Sequence, residues 1–141
     1  MLEYKINAFS KPGGVALSRA KDEIAIPFDA AAESGALLPN PAELFLTAFA
    51  ACILKNVERY SQKLKIPYAK AEITIKGIRS DVPPAMVSVD YELIVYSDAE
   101  PRKIDLLHRN IKKFGTIFNT VLKSCEVNGK MKQISSKFSS T

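Results

Sequence analysis

Apolar and polar residues alternate along several segments of the chain, a period typical of β-strands. In the N-terminal part, three short segments of this kind predict strands over Leu2–Asn7, Gly14–Arg19 and Glu23–Phe28. Residues 29–40 follow as a predicted loop that contains Gly35. Two longer segments, at residues 71–79 and 87–96, each have one apolar face, which favours an antiparallel sheet with a single covered face. A last strand is predicted over Gly129–Ile134.

A change to helical spacing marks residues 41–63 as a long helix. Asn40 is a good N-cap, Pro41 suits the first helical position, and Glu43 lies where it would complete a capping box. Between residues 42 and 54, eleven of thirteen residues are apolar. A helix that is apolar on all sides has to be buried on all sides. We therefore expect the N-terminal half of this helix to be deeply enclosed, with a partner subunit supplying part of the cover.

A second helix is predicted to begin near Glu100-Pro101. Its apolar stripe consists of Ile104, Leu107, His108, Ile111 and Phe114. Gly115 is expected to end or kink this helix before a short segment, Ile117–Leu122. The order of strands, helix, strands, helix and strand is typical of an α+β fold with helices packed on a sheet.

Length and charge narrow the class of protein. The 141 residues suit a single domain, and we expect residues 1–141 to form one, with residues 135–141 as a flexible tail. The net charge of +5 is spread along the chain without the basic stripe that nucleic-acid binding requires. Because no apolar window is long enough to span a bilayer and the N-terminal segment lacks a signal-peptide core, we expect a cytoplasmic protein without a membrane partner.

The two cysteines, Cys52 and Cys125, are the first candidates for chemistry. Their number and spacing fit neither a disulfide framework nor a zinc site. Cys52 lies in the middle of the apolar helix, after small residues that leave space beside its sulfur. A reactive thiol also needs a positively charged neighbour, whereas a buried cysteine without one is an inert apolar residue. Cys125 follows the second helix and is interpreted as a residue without a catalytic role, although a transient disulfide with Cys52 is the alternative.

For the remaining candidates, His108 and Glu43, the sequence favours a structural role over a catalytic one. His108, the only histidine, is expected to be a core or edge residue with a hydrogen-bond partner, and Glu43 a helix cap. The sequence contains no Ser/His/Asp pattern, no glycine-rich phosphate loop and no cluster of metal ligands. We therefore expect neither a metal nor another cofactor.

The segment from Asn40 to Cys52, NPAELFLTAFAAC, resembles the hallmark of the OsmC/Ohr family (osmotically inducible protein C-like and organic hydroperoxide resistance proteins). That hallmark is Asn-Pro-x-Glu-Leu followed by an alanine-rich stretch that ends in Ala-Cys. The resemblance continues in order through both later strands and the second helix, so it covers nearly the whole chain. It implies an OsmC-like fold in which antiparallel sheets pack around a long buried helix in an intertwined homodimer.

The resemblance also implies a thiol peroxidase. Cys52, as the thiolate, would attack a hydroperoxide, preferably an organic one, and become a sulfenic acid. In the family, a second cysteine then forms a disulfide with the first, and an external dithiol reduces that bond. A glutamate and an arginine from the N-terminal region keep the first thiol deprotonated. Here the glutamate would be Glu43, and the nearest arginine is Arg19, which does not match the family motif.

The chain departs from the family pattern at the second cysteine. The family has Cys-Pro after an aromatic residue, whereas this chain has Phe114-Gly115-Thr116, and Cys125 lies ten residues further on. Two hypotheses follow. The protein is a one-cysteine hydroperoxide reductase that depends on an external thiol, or it is a non-catalytic dimer that binds a small apolar or electrophilic ligand.

Overall fold

The structure, a computed structural model, describes residues 1–21, 24–33 and 37–140. These fall into two compact units, Met1–Phe45 and Leu46–Thr141. The predicted start of the third strand at Glu23, the loop residue Gly35 and the terminal Thr141 lie outside the described residues. The predicted α+β class is confirmed, with two three-stranded sheets and three helices in the described ranges.

The N-terminal unit contains an antiparallel sheet in the order β1-β2-β3. Its strands are β1 (Asn7–Ser10), β2 (Val15–Lys21) and β3 (Ile24–Asp29). The predicted first strand, Leu2–Asn7, is wrong except at its last residue. The hairpin register places Asn7 opposite Arg19, so residues before Ile6 would lie beside or beyond the end of β2 and have little or no strand to pair with.

The long helix, α1, spans Pro41–Leu64, close to its predicted bounds. The predicted capping box is present, because the Glu43 N–H donates to Asn40 Oδ1 at 2.9 Å and the Asn40 N–H donates to Glu43 Oε1 at 3.3 Å. One chain covers the N-terminal half of the helix on one side only, and its deep enclosure with a partner subunit's help stays a prediction. The buried positions lie on one face and begin only at the ninth helical residue: Phe49, Ile53, Asn56, Val57, Tyr60 and Ser61. Ala48 and Ala51, on another face, are exposed, because one chain covers only one side of the helix.

The C-terminal unit is built on a second sheet, in the order β4-β5-β6. Its strands are β4 (Lys70–Asp81), β5 (Pro84–Tyr96) and β6 (Glu126–Ile134). The hairpin of β4 and β5 is antiparallel, as predicted, whereas β6 pairs parallel to β5. The predicted single covered face is present on β5, where Val89, Leu93 and Val95 are fully buried and alternate with more exposed residues.

Two helices connect β5 to β6, as a parallel pairing requires. They are α2 (Pro101–Phe114) and α3 (Thr116–Leu122), separated by Gly115 as predicted. After β6, a single 3-10 turn spans Ser136–Phe138, and Ser135 Oγ donates a hydrogen bond to Asp98 at 2.8 Å. The flexibility of the tail and the single-domain organisation stay predictions. Within the described ranges, no helix is long and apolar enough to cross a membrane.

Candidate functional site

Cys52 lies at the middle of α1, at the edge of the helix face that packs against the rest of the C-terminal unit. Its side chain is half-buried. One turn earlier, the fully buried Phe49 stacks on Phe118 of α3, with 5.4 Å between ring centroids, and tilts against Tyr91 of β5 at 6.0 Å. This aromatic cluster fixes the rotation of α1 against the sheet and α3, and therefore the direction in which Cys52 points.

Gly115, at the junction of α2 and α3, lies directly beside the Cys52 sulfur. A Cβ atom at position 115 would lie 3.2 Å from Cys52 Sγ and 2.9 Å from Phe118 Cβ. The second of these distances is too short for two carbon atoms, so a side chain here would force the junction to shift. Glycine thus allows the backbone of the junction to approach α1. The structure brings together the two positions that the family resemblance assigns to the paired cysteines.

Asn56 borders the same small volume and was not identified from the sequence. Its Nδ2 atom lies 3.2 Å from the position of that Cβ at residue 115, as does Cys52 Sγ. The residue is only 4% exposed. The available signal was its spacing, since residues 52 and 56 are one helical turn apart on an otherwise apolar face.

Glu43 and Arg19, the other two predicted site residues, both lie in the N-terminal unit and are exposed. The carboxylate of Glu43 accepts the capping hydrogen bond at the start of α1, which is the structural role expected for it. Arg19 lies on β2, with its Cα opposite those of Asn7 and Ala25. The catalytic roles of both residues stay predictions.

Cys125 follows α3 and is half-buried. Its backbone N–H donates to the carbonyl of Val121 at 3.0 Å, which extends the end of the helix. Burial raises the pKa of the Cys125 thiol, so its thiolate fraction at neutral pH is smaller than that of an ordinary cysteine. This environment agrees with the interpretation of Cys125 as a residue without a catalytic role.

His108 pairs with Tyr91 in a structural hydrogen bond. Its Nε2 atom lies 2.7 Å from the Tyr91 hydroxyl, and the two rings meet edge to face at 5.9 Å. Burial, with a smaller contribution from Lys112, lowers the pKa of His108, while burial raises the pKa of Tyr91 to about 12. A neutral imidazole therefore accepts the proton of a neutral phenol. This is the partnered histidine that the sequence predicted.

Two further features bear on ligands. Within the described residues, no group of three or more His, Cys, Asp or Glu side chains is placed to hold a metal ion. A cleft of about 730 Å³ lies in the C-terminal unit, and Cys52 does not line it. The residues that line it include two aromatic residues, three lysines and two acidic residues: Tyr91, Phe118, Lys76, Lys112, Lys130, Asp90 and Glu92.

Known proteins resemble the chain in sequence and in fold. Residues 33–130 match the family described as OsmC-like protein. The fold is similar to that of an OsmC-like protein from Mycoplasma pneumoniae, with a TM-score of 0.85 and 19% identity over 94% of this chain and 98% of that one. No curated protein sequence matches significantly.

Two further solved structures carry names that refer to organic hydroperoxides. One is an organic hydroperoxide resistance protein OsmC from Legionella pneumophila, with a TM-score of 0.74 and 15% identity over 94% of this chain and 99% of that one. The other is the organic hydroperoxide resistance protein OhrB of Bacillus subtilis, with a TM-score of 0.64 and 20% identity over 93% and 98%. At these identities, the likeness shows a shared fold.

Proposed function

Because this chain belongs to the OsmC-like protein family, we propose that it reduces organic hydroperoxides through Cys52, with an external thiol as the reductant. The family includes organic hydroperoxide resistance proteins, and structures with that name share this fold. The observation that carries the proposal is the 3.2 Å between Cys52 Sγ and the Cβ position of residue 115. It supports a site in which Cys52 occupies the place of the family's attacking cysteine.

The proposed reaction has two stages. The Cys52 thiolate attacks the distal oxygen of the hydroperoxide, so that an S–O bond forms, the O–O bond breaks, and the alkoxide leaves as the alcohol after taking a proton. This leaves Cys52 as a sulfenic acid. An external thiol then attacks the sulfur and releases water, and a second thiol reduces the resulting mixed disulfide.

The residues around the sulfur favour an external reductant. The position beside Cys52 Sγ is occupied by Gly115, which has no thiol that could form a disulfide. The only other cysteine of the sequence is Cys125, and burial raises the pKa of its thiol, which weakens it as a nucleophile at neutral pH.

We propose that the protein works as a homodimer. Of the apolar residues described in the N-terminal unit, only Ala16 is fully buried, while Tyr4, Val15 and Ile24 are 83%, 63% and 74% exposed. A small sheet with so little core of its own needs further cover. The exposed alanines on α1 also favour a dimer, because small apolar residues allow a second helix to pack closely against them. Light scattering should give twice the mass of one chain, and a monomer would contradict this proposal.

Turnover with a dithiol tests the proposed reaction. Wild-type protein should consume cumene hydroperoxide in the presence of dithiothreitol. Cys52→Ser should abolish this activity, and the matched variant Cys125→Ser should retain it. Loss of activity in both variants would assign a resolving role to Cys125, and equal activity in Cys52→Ser would contradict the assignment of the reacting thiol.

A second candidate function is the binding of a small ligand without turnover. The observation that favours it is the cleft beside Tyr91 and Phe118, which combines these aromatic residues with three lysines and two acidic residues and does not include Cys52. In that case a bound ligand would contact the cleft residues, and Cys52→Ser would leave both its affinity and the thermal stability of the protein nearly unchanged.

A further inference from the structure

We propose that residues 135–140 form a releasable clasp, which Asp98 holds closed through its negative charge and which opens locally when that charge is neutralised. The inference goes beyond the hydroperoxide chemistry and does not depend on Cys52. It concerns the turn at residues 97–100, just before α2, which the chain meets again after β6. Two separate sets of hydrogen bonds join the end of β6 and the segment after it to this turn.

The inner set of hydrogen bonds contains no ionisable side chain. Ser97, which is 1% exposed, donates its N–H to the carbonyl of Ile134 at 2.8 Å and its hydroxyl to the carbonyl of Pro67 at 2.6 Å. Gln133 Nε2 donates to the carbonyls of Ser97 and Ala99, at 2.9 and 2.6 Å. Because all of these groups are neutral, the inner set does not depend on pH.

The outer set of hydrogen bonds depends on one carboxylate. Asp98 Oδ1 accepts from Ser135 Oγ at 2.8 Å and from the Ser136 N–H at 3.2 Å, and Asp98 Oδ2 accepts from Ser136 Oγ. These bonds hold the start of the 3-10 turn. Near the end of the segment, the carbonyl of Ser140 accepts a single hydrogen bond from Lys70 Nζ at 2.8 Å. All donors to Asp98 are neutral, so the strength of the outer set comes from the charge of the acceptor.

Protonation of Asp98 weakens the outer set, because a carboxylic acid is a poorer acceptor and has a proton of its own to donate. Hydrogen bonds from Ser136 and Ser135 lower the pKa of Asp98, and the charge of Lys137 adds to this effect. Closure therefore stabilises the charged form. It is complete above the ordinary aspartate pKa of about 3.9 and is lost as the pH falls through the lower folded value.

The clasp opens without unfolding of the sheet, because the inner set remains when the outer set is lost. Ile134, the last residue of β6, keeps its place opposite Tyr96 in the ladder and its hydrogen bond from Ser97. Only residues 135–140 then leave the surface. The flexibility that the sequence predicts for the tail would belong to this open state.

Limited proteolysis measures the opening, because trypsin has to bind an extended segment around Lys137, which lies inside the 3-10 turn. The test compares Asp98→Asn with the wild type at neutral pH and uses Asp81→Asn as the matched control. Asp81 is exposed and pairs with Arg79 at 3.4 Å, at the opposite end of the β4–β5 hairpin from Lys70. Asp98→Asn should release the C-terminal peptide about 10-fold faster than the wild type, and Asp81→Asn at the wild-type rate.

Two further measurements separate a local clasp from a general loss of stability. Cleavage after Lys132, within β6, should stay as slow in Asp98→Asn as in the wild type. The melting temperature should remain within about 2 °C of the wild-type value. Release of the C-terminal peptide at the wild-type rate would overturn the inference, and so would faster cleavage after Lys132 or a clearly lower melting temperature.

Ser136→Asp tests the dependence on charge from the other side of the contact. Its carboxylate would face that of Asp98 and would lack the hydroxyl donor, so the clasp should open at neutral pH. Adding Asp98→Asn to this variant removes the repulsion, and the double variant should be cleaved more slowly than Ser136→Asp alone. A wild-type cleavage rate in Ser136→Asp, or faster cleavage of the double variant, would contradict a clasp controlled by charge.

The pH dependence is followed in the wild type by ¹H–¹⁵N NMR. The amide proton of Ser136 donates to Asp98 and should move upfield as the pH falls through the pKa of this carboxyl. The amide proton of Ser97 belongs to the inner set and should keep its position. A Ser136 resonance that does not titrate, or equal shifts of both resonances, would overturn the inference. Because Cys52 takes part in none of these measurements, their outcome is independent of the proposed function.

Discussion

Replacing Gly115 with cysteine should convert the site into one that closes its own disulfide. A Cβ atom at residue 115 lies 3.2 Å from Cys52 Sγ, close to the separation of about 3 Å between one Cβ and the far sulfur of a disulfide. The crosslink would close a loop of about 60 residues, which corresponds to about 4 kcal/mol of stabilisation in the chain-entropy treatment. The approach of the new Cβ to Phe118 Cβ, at 2.9 Å, should cost about 1–3 kcal/mol in both redox states.

The oxidised variant should therefore melt about 10 °C above its own reduced form. One equivalent of cumene hydroperoxide should remove both site thiols, as measured by a thiol titration and by a peptide map that finds residues 52 and 115 joined. Gly115→Ser is the matched control, because it adds a side chain of similar size that cannot form the bond. Free thiols at both positions after treatment with diamide, in a folded protein, would refute the proximity of Gly115 to Cys52.

Three other substitutions test the packing and the electrostatics around the site. Gly129→Ala should lower the free energy of unfolding by about 1–3 kcal/mol, because its new methyl group would collide with the ring of Tyr91. An unchanged midpoint of the urea titration would contradict that contact. Asn40→Ala should lower it by about 1 kcal/mol through loss of the helix cap, whereas no loss would show that another group caps α1. The pKa of His108 is lower in the folded protein than in the unfolded chain, so the unfolded chain binds more protons in this pH range. The free energy of unfolding should therefore fall as the pH drops from about 7 through the unfolded pKa of about 6.5 toward the lower folded value. In His108→Gln the melting temperature should change less with pH over this range than in the wild type. The same dependence in both proteins would assign it to other groups.

Local signals predicted the helices well. Asn40 and Glu43 identified the start of α1 because a capping box requires these residue types three positions apart, and Pro101 and Gly115 marked the ends of α2 for similar reasons. The alternation on β5 predicted its buried face because side chains on a strand point alternately to the two sides. Each of these features is decided by residues a few positions apart.

Features that depend on distant partners were not predictable in this way. Alternation at Leu2–Asn7 suggested a strand, but the register with β2 leaves the residues before Ile6 with little or no strand to pair with. The parallel pairing of β6 depends on the crossover through α2 and α3, and no sequence pattern specifies it. The closeness of Cys52 to Gly115 is likewise a contact between residues far apart in sequence. The one-turn spacing of Asn56 from Cys52 was the only sequence signal that Asn56 lies beside them.

The central claim is that Cys52 is the thiol that takes an oxygen atom from an organic hydroperoxide. Reduced protein is mixed with one equivalent of cumene hydroperoxide in the presence of dimedone, which traps sulfenic acids, and the peptides are then mapped by mass spectrometry. The account predicts a dimedone adduct on the peptide that contains Cys52 and little or none on the peptide that contains Cys125. An unmodified Cys52, with the hydroperoxide unconsumed, would contradict it.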